Sequence, residues 1–346
     1  MKRREFLRAL GLGAAGAAVP GGLARAVSGP ARVGPAMVAG EVFVERWSWA
    51  MGQPVHLQLF AASEAAGYDV AQAALAELRR VERALTLFDD ASDLCELNRA
   101  AGRGSREVGA DLAAVLAAAE RFRAQTAGAF DPAVEPLMRA WGFHAHRTHP
   151  PSSAELAEAR EAVHAARVQV DRGRAALGSV TTQIDLGGIG VGYGLDRMAE
   201  VFRRAGIRRA FLDVSGDCLA IGAPPGESGW LVELADPTVP GRMRGRTRLR
   251  DAALATSANT ASVVRWGRAV RGHVLNPATG YPASALVQAT VTAPTGIEAD
   301  ALSTAMLVAP ARYPGVTRAW PISSPDHPER SEGATRRGMA PSLRSG

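Results

Sequence analysis

The chain has 346 residues, 47% apolar and 21% charged, which suits one large domain or two fused lobes and is too apolar for a disordered chain. Its net charge of +6 sits at the ends: Lys2, Arg3, Arg4, Arg8 and Arg25 face only Glu5, and beyond Ala311 six arginines face three acids. The body between is near neutral and has no phosphate-backbone footprint, which argues against nucleic-acid binding.

Read in chain order, Lys2-Arg3-Arg4-Glu5-Phe6-Leu7-Arg8, an Ala/Gly/Leu run and Ala24-Arg25-Ala26 have the layout of a twin-arginine export signal with a small-x-small cleavage site. Residues 1–26 are therefore expected to be a signal and 27–44 a linker. The mature protein is expected in the periplasm or on the outer face of the cytoplasmic membrane. No stretch reaches the roughly 18 apolar residues that a membrane-spanning helix needs. Cys95 and Cys218 lie far apart in sequence and are expected to be free and buried, although an oxidising compartment would permit a disulfide. Lys2 is the only lysine, so a cation in the folded body is expected to be Arg or a metal.

Alternation of Val55, Leu57 and Leu59 with polar neighbours predicts a strand. Val70, Ala74, Leu78, Val81, Leu85 and Phe88 then recur at spacings of three and four, which predicts a long amphipathic helix. A second helix is expected over 111–125, stopped by Gly128, and a third after Ser152, which stands in capping-box spacing with Glu155. Strands are expected near 168–171, 181–185, 208–214, 230–234, 253–256 and 287–293, with helices near 193–205 and 298–308. Helices early and strands late predict an α+β fold, not a doubly wound parallel sheet. From about Ala311 the periodicity is lost among Pro, Ser, Arg and Gly, so 311–346 is expected to be a disordered tail.

Four segments carry chemistry. In Asp185-Leu186-Gly187-Gly188-Ile189-Gly190-Val191-Gly192-Tyr193 a glycine-rich loop opens a helix, where exposed N–H groups suit a pyrophosphate. Its spacing fails the dinucleotide fingerprint, because Tyr193 or Leu195 falls where the third glycine belongs. Asp300 and Thr304 are spaced i, i+4, so a carboxylate and a hydroxyl share one helix face and can reach the same hard cation. His273 stands between Gly272 and the rigid turn of Asn276-Pro277-Ala278-Thr279-Gly280. Gly128-Ala129-Phe130-Asp131-Pro132 places an aromatic ring beside a carboxylate in a turn.

In this order the segments resemble the ApbE family, the FAD:protein FMN transferases, over about residues 45–310. The resemblance is carried by Met51-Gly52, Ser92-Asp93-Leu94 with Leu97-Asn98, Gly128 to Pro132, Trp141-Gly142-Phe143, Asp185 to Asp196, Ala255-Thr256-Ser257, His273 with Pro277, Thr279 and Gly280, and Asp300 with Thr304. It implies an α+β fold with FAD in a cleft between the helical and strand-rich parts, and a divalent metal, Mg²⁺, at the pyrophosphate. Asp300, Thr304 and the carbonyl of Gly188 would be metal ligands. Met51 and Phe88 would pack on the flavin's ring systems, and Ala129, Phe130, Asp131, Asp185, Val191 and Leu275 would be further FAD contacts. Asp300 would serve as base for a Ser/Thr hydroxyl of an acceptor redox protein. His273 would steady phosphoryl oxygens or the leaving AMP. Any membrane association would come through that acceptor.

The chain also departs from the family pattern. Val191 stands where a lysine is usual, Ser215 replaces a glycine, Asn259 and Asn276 replace carboxylates, and Ala278 replaces an arginine. These losses leave two other outcomes open, an FAD-binding carrier without transfer and a Mg²⁺-dependent FAD pyrophosphatase giving FMN and AMP. The family also continues with a strand after the Asp–Thr helix, where this chain is expected to enter its tail.

Overall fold

The alternating segment at Val55 becomes the second strand of a seven-stranded sheet in the computed structural model, which describes residues 24–25, 40–145, 147–239, 241–260 and 262–323. The strands are β1 (Val42–Ala50), β2 (Gln53–Ala61), β3 (Ala210–Val214), β4 (Asp217–Ile221), β5 (Ala252–Ala258), β6 (Leu286–Ala293) and β7 (Arg318–Ser323). They lie side by side in chain order and every pairing is antiparallel. The sheet is thus a meander, and everything else hangs from its connections.

Two of those connections are two-residue turns. Met51 (φ 52°) and Gly52 (φ 69°) join β1 to β2, and Ser215 (φ 54°) and Gly216 (φ 105°) join β3 to β4. Two successive positive φ angles give the hairpin turn whose twist matches its strands, at the cost of left-handed backbone at the non-glycine Met51 and Ser215. The β2–β3 connection holds α1 (Glu64–Leu85), α2 (Asp93–Arg99), α3 (Ala110–Gln125), a 3-10 turn (Pro132–Val134) leading into α4 (Glu135–Trp141), α5 (Ser153–His164) and α6 (Gly190–Arg204). A small sheet of Arg106–Glu107, Val168–Asp171 and Arg174–Leu177 lies within it. α7 (Gly296–Val308) joins β6 to β7.

Period-two alternation splits the sheet's contacts between two cores. Val55, Leu57, Leu59, Leu212 and Val291 face α1, α6 and α7. Phe60, Phe211, Cys218, Ala220 and Leu254 face a second sheet of Trp230–Ala235 and Met243–Leu249, which offers Trp230, Val232, Leu234 and Leu249. Ala24–Arg25 pairs antiparallel with Leu234 and Glu233 of that sheet. Helix starts follow local chemistry: Ser63, Ser92 and Thr295 cap α1, α2 and α7, and the Ser152–Glu155 capping box is formed in both directions.

Several expectations are corrected. Residues 181–185 form no strand, because the side chain of Asn98 takes up both backbone groups of Ile184, donating to its O at 2.9 Å and accepting from its N at 2.8 Å. The tail does not begin at 311: Arg318–Ser323 pairs with β6 and completes the sheet edge. The first strand of the main sheet begins at Val42, inside the expected linker. α2 and α4, seven residues each, are too short to show a helical period. Both cysteines are free, Cys218 buried and Cys95 half-buried. The expected signal, apart from Ala24–Arg25, and the tail beyond 323 lie outside the described residues, among which no helix is long and apolar enough to cross a membrane.

Candidate active site

The glycine-rich loop and α7 meet because glycine removes every side chain between them. A Cβ on Gly192 would lie 2.2 Å from the Gly296 carbonyl oxygen, and one on Gly296 would lie 2.3 Å from the Gly192 oxygen. The N-terminal turns of α6 and α7 therefore touch backbone to backbone. Asp196 of α6 accepts from the N–H groups of Gly296 and Ile297 at 2.7 and 2.9 Å, tying the contact down. Asp300, one turn further along α7, accepts from the Gly192 N–H at 2.9 Å.

This approach assembles a cluster of oxygens. A Cβ on Gly188 would be 3.0 Å from Thr304 Oγ1 and 3.5 Å from the Phe130 ring, so the loop backbone lies against both. Ser257 at the end of β5 hydrogen-bonds Thr304 at 3.1 Å and Ser303 at 2.7 Å. Burial pushes Asp300 up to about 7, only partly offset by the Gly192 and Val191 N–H groups. Asp217, which accepts from the Thr256 N–H at 3.0 Å, is pushed well above the carboxylate range by burial and by the charge of Asp300. Among the described residues neither carboxylate has an Arg, Lys or His ion-pair partner. Two buried, uncompensated carboxylates beside a threonine hydroxyl and a glycine backbone form an all-oxygen set that fits a hard divalent cation such as Mg²⁺.

A second wall is built around His144. Its Nδ1 lies 2.5 Å from Glu135 Oε2 and its Nε2 lies 3.8 Å from Asp185 Oδ2. The exposed Phe88 ring meets it edge-on at 5.8 Å, while Asp185 accepts from the Gly187 N–H at 2.6 Å. His273 stands on this side too, edge-on to Phe143 at 6.3 Å and near enough to His144 to feel its charge. Burial lowers its pKa and holds the ring neutral, and its Nδ1 is buried with no partner in the protein.

The remaining sequence-derived positions divide by role. Met51 reaches α6, where a Cβ on Gly194 would be 3.2 Å from its methyl carbon. Ala129 and Phe130 are buried, with Phe130 edge-on to Phe122 at 6.5 Å. Asp131 is occupied locally, accepting from Arg123 Nε and from the Ala133 N–H at 2.9 Å each. Leu275 packs with Leu137 and Trp141 in a separate apolar cluster, and Val191 is half-buried against the main core. Two departures from the family pattern have local work. Asn259 donates to Ala283 O at 2.7 Å and accepts from Val274 N at 2.9 Å, while Asn276 accepts from Ala278 N at 2.9 Å within its turn. Sequence reasoning missed Asp217, Glu135 and His144 as site residues, because only the fold brings them beside Asp300 and Asp185.

An α+β protein with a hard-oxygen cluster at a glycine-rich helix start and an aromatic-lined second wall is the class this geometry defines. Residues 51–314 match the ApbE family, and the chain belongs to it. The chain is 30% identical over 211 residues to the FAD:protein FMN transferase of Haemophilus influenzae, covering 58% of this chain and 61% of that one. It is 29% identical over 232 residues to the enzyme of the same name from Salmonella typhimurium, covering 65% and 66%. It therefore spans less than two thirds of the length of these relatives. The crystal structure of the ApbE protein of Thermotoga maritima superposes with a TM-score of 0.71 at 28% identity over 77% of this chain and 87% of that one. The apo flavinyl transferase ApbE of Pseudomonas stutzeri shares the fold, with a TM-score of 0.68 at 23% identity over 78% and 85%.

Proposed function

We propose that this chain is an FAD:protein FMN transferase that moves FMN from FAD to a Ser/Thr hydroxyl of an exported acceptor redox protein and releases AMP. The observation that carries this reading is the convergence of Gly188, Asp300 and Thr304, with Asp217 beside them, in a chain of the ApbE family. FAD is the substrate. The acceptor hydroxyl attacks the FMN-side phosphorus, a new P–O bond forms, the bridging P–O bond breaks, and AMP leaves with the electron pair. A divalent cation held by Asp300, Thr304 and the Gly188 carbonyl would supply charge neutralisation at the phosphoryl oxygens.

The protein's own groups divide the remaining work. Asp300, fixed by the Gly192 N–H, offers a carboxylate oxygen to take the acceptor's proton. His273 offers its unpartnered Nδ1 to a substrate oxygen. Phe88 and Met51 supply an aromatic face and a thioether to flat rings. The basic N-terminus supports export by the twin-arginine route to the periplasmic side.

The test is mass spectrometry of a Ser/Thr acceptor domain incubated with the purified protein, FAD and Mg²⁺. One added FMN phosphoryl group is expected, removed by chelator and lost in Asp300→Ala. Full transfer by Asp300→Ala would overturn the ligand assignment. The half-buried Val191 in a body without lysine favours a second reading, a flavin carrier, which predicts bound FAD with no AMP released. AMP released without any acceptor would instead mark a pyrophosphatase.

A further inference from the structure

Glu135, His144 and Asp185 come from three places in the chain: the first residue of α4, the loop that follows α4, and the segment leading into the glycine-rich loop. Glu135 is fully buried and is bonded at its other oxygen by Arg139 Nε at 2.6 Å. The ligating atoms of Glu135, His144 and Asp185 lie within 4.8 Å of one another, so a metal ion must be considered. The geometry decides against it: the 2.5 Å separation of His144 Nδ1 from Glu135 Oε2 is a hydrogen bond that leaves no room for an ion between them.

The consequence runs along the chain. Asp185 Oδ1 holds the Gly187 N–H at 2.6 Å, and the next residue, Gly188, lies against Thr304 and Phe130. The Asp185 carboxyl, aimed at the Gly187 N–H although burial pushes its pKa up, therefore fixes the loop at the oxygen cluster. The other ring nitrogen of His144 faces that carboxylate, and Phe88 closes the ring's edge. We propose that His144 is a positioning residue for the flavin-nucleotide substrate: strung between Glu135 and Asp185, it holds the Asp185–Gly188 loop in its binding conformation, and its loss loosens that loop. This inference rests on the reading of FAD as substrate.

The titratable and charged groups facing His144 are Glu135 and Arg139 from α4, Asp185 from the loop, and His273 from the turn after the 269–272 strand. Burial disfavours the imidazolium, but the Glu135 hydrogen bond and the charge of Asp185 outweigh it and raise its pKa.

The test is FAD affinity, read by flavin fluorescence between pH 5.5 and 9, for the full chain, His144→Gln and His144→Arg. The difference between the parent and variant profiles cancels the titration of Asp300, which all three share. In the parent, affinity is expected to fall about tenfold as pH rises through the His144 titration. Measured against that shared titration, His144→Gln should bind about tenfold more weakly at pH 6 and show no such fall, and His144→Arg, with a permanent cation, should show no additional fall up to pH 9. A His144→Gln profile that coincides with the parent's overturns the inference while leaving the FAD reading intact. No FAD binding by the parent at any pH overturns both. A stoichiometric Zn²⁺ site in the parent, lost in His144→Gln, overturns it in favour of a metal centre.

Discussion

Gly188 carries its function through what it lacks. Any side chain there would enter the space between the loop backbone and Thr304, at 3.0 Å from the hydroxyl oxygen. Its φ is not in the left-handed region, so Gly188→Ala should fold with a stability change within about 1 kcal/mol. It should nonetheless weaken binding of FAD with Mg²⁺ by at least about tenfold, because the added methyl displaces the hydroxyl from the oxygen cluster. Titration calorimetry checks this, and parent-like affinity would refute the placement of Thr304. The Asp300–Thr304 pair was legible from sequence because i, i+4 spacing on a helix fixes which residues share a face. Asp217 was not, since its proximity to Asp300 depends on β4 lying beneath α7. His273 was visible as a lone histidine before a rigid turn, yet its unpartnered nitrogen exists only once the loop is folded over it.

Helices and strands differed in legibility for physical reasons. α1 and α6 announce themselves because each buries a single stripe, Leu75, Leu78 and Val81 on one and Leu195, Met198 and Phe202 on the other. The segment 181–185 is expected as a strand, but its backbone at the fully buried Ile184 is satisfied by a side chain from α2 and never joins a ladder. α1 and α6 are also joined by charge. Glu77 accepts from Arg80 at 2.7 Å and from Arg197 at 2.9 Å, and the Arg80 hydrogen bond, with help from Arg197, holds its carboxyl at about 2. A folded-state pKa below the unfolded one gives stability that is present above about pH 4.5 and lost as pH falls toward 2. Glu77→Gln should therefore cost about 1 kcal/mol at pH 7, after allowance for solvent screening, and almost nothing near pH 2. Urea unfolding at the two pH values measures the difference, and an equal cost at both would show that the ion pair contributes nothing.

At the scale of the whole molecule, a meander of seven strands in chain order lets three of its connections deliver parts of the site to a common sheet. The β2–β3 connection brings the glycine-rich loop and His144, the β5–β6 connection brings His273, and the β6–β7 connection brings Asp300 and Thr304. β7 closes this arrangement. β6 is buried along almost its whole length, and β7 pairs with it from Leu286 to Thr292. A chain ending at Thr317 should expose that edge, lower the thermal midpoint and associate through it. Light scattering and thermal unfolding report on both, and a monodisperse, parent-like protein would show that β6 needs no cover.

The sequence by itself determined the α+β class, the amphipathic helices, the glycine-rich helix start and the Asp–Thr face. Each of these is set by local spacing along one element or by the order of elements. Only the tertiary structure decided that the residues after 311 return as a strand, that Asp217 joins Asp300, and that His144 is held between Glu135 and Asp185. Those outcomes depend on groups distant in the chain sharing one buried volume, where a charge or backbone amide must find its partner or pay the cost of desolvation.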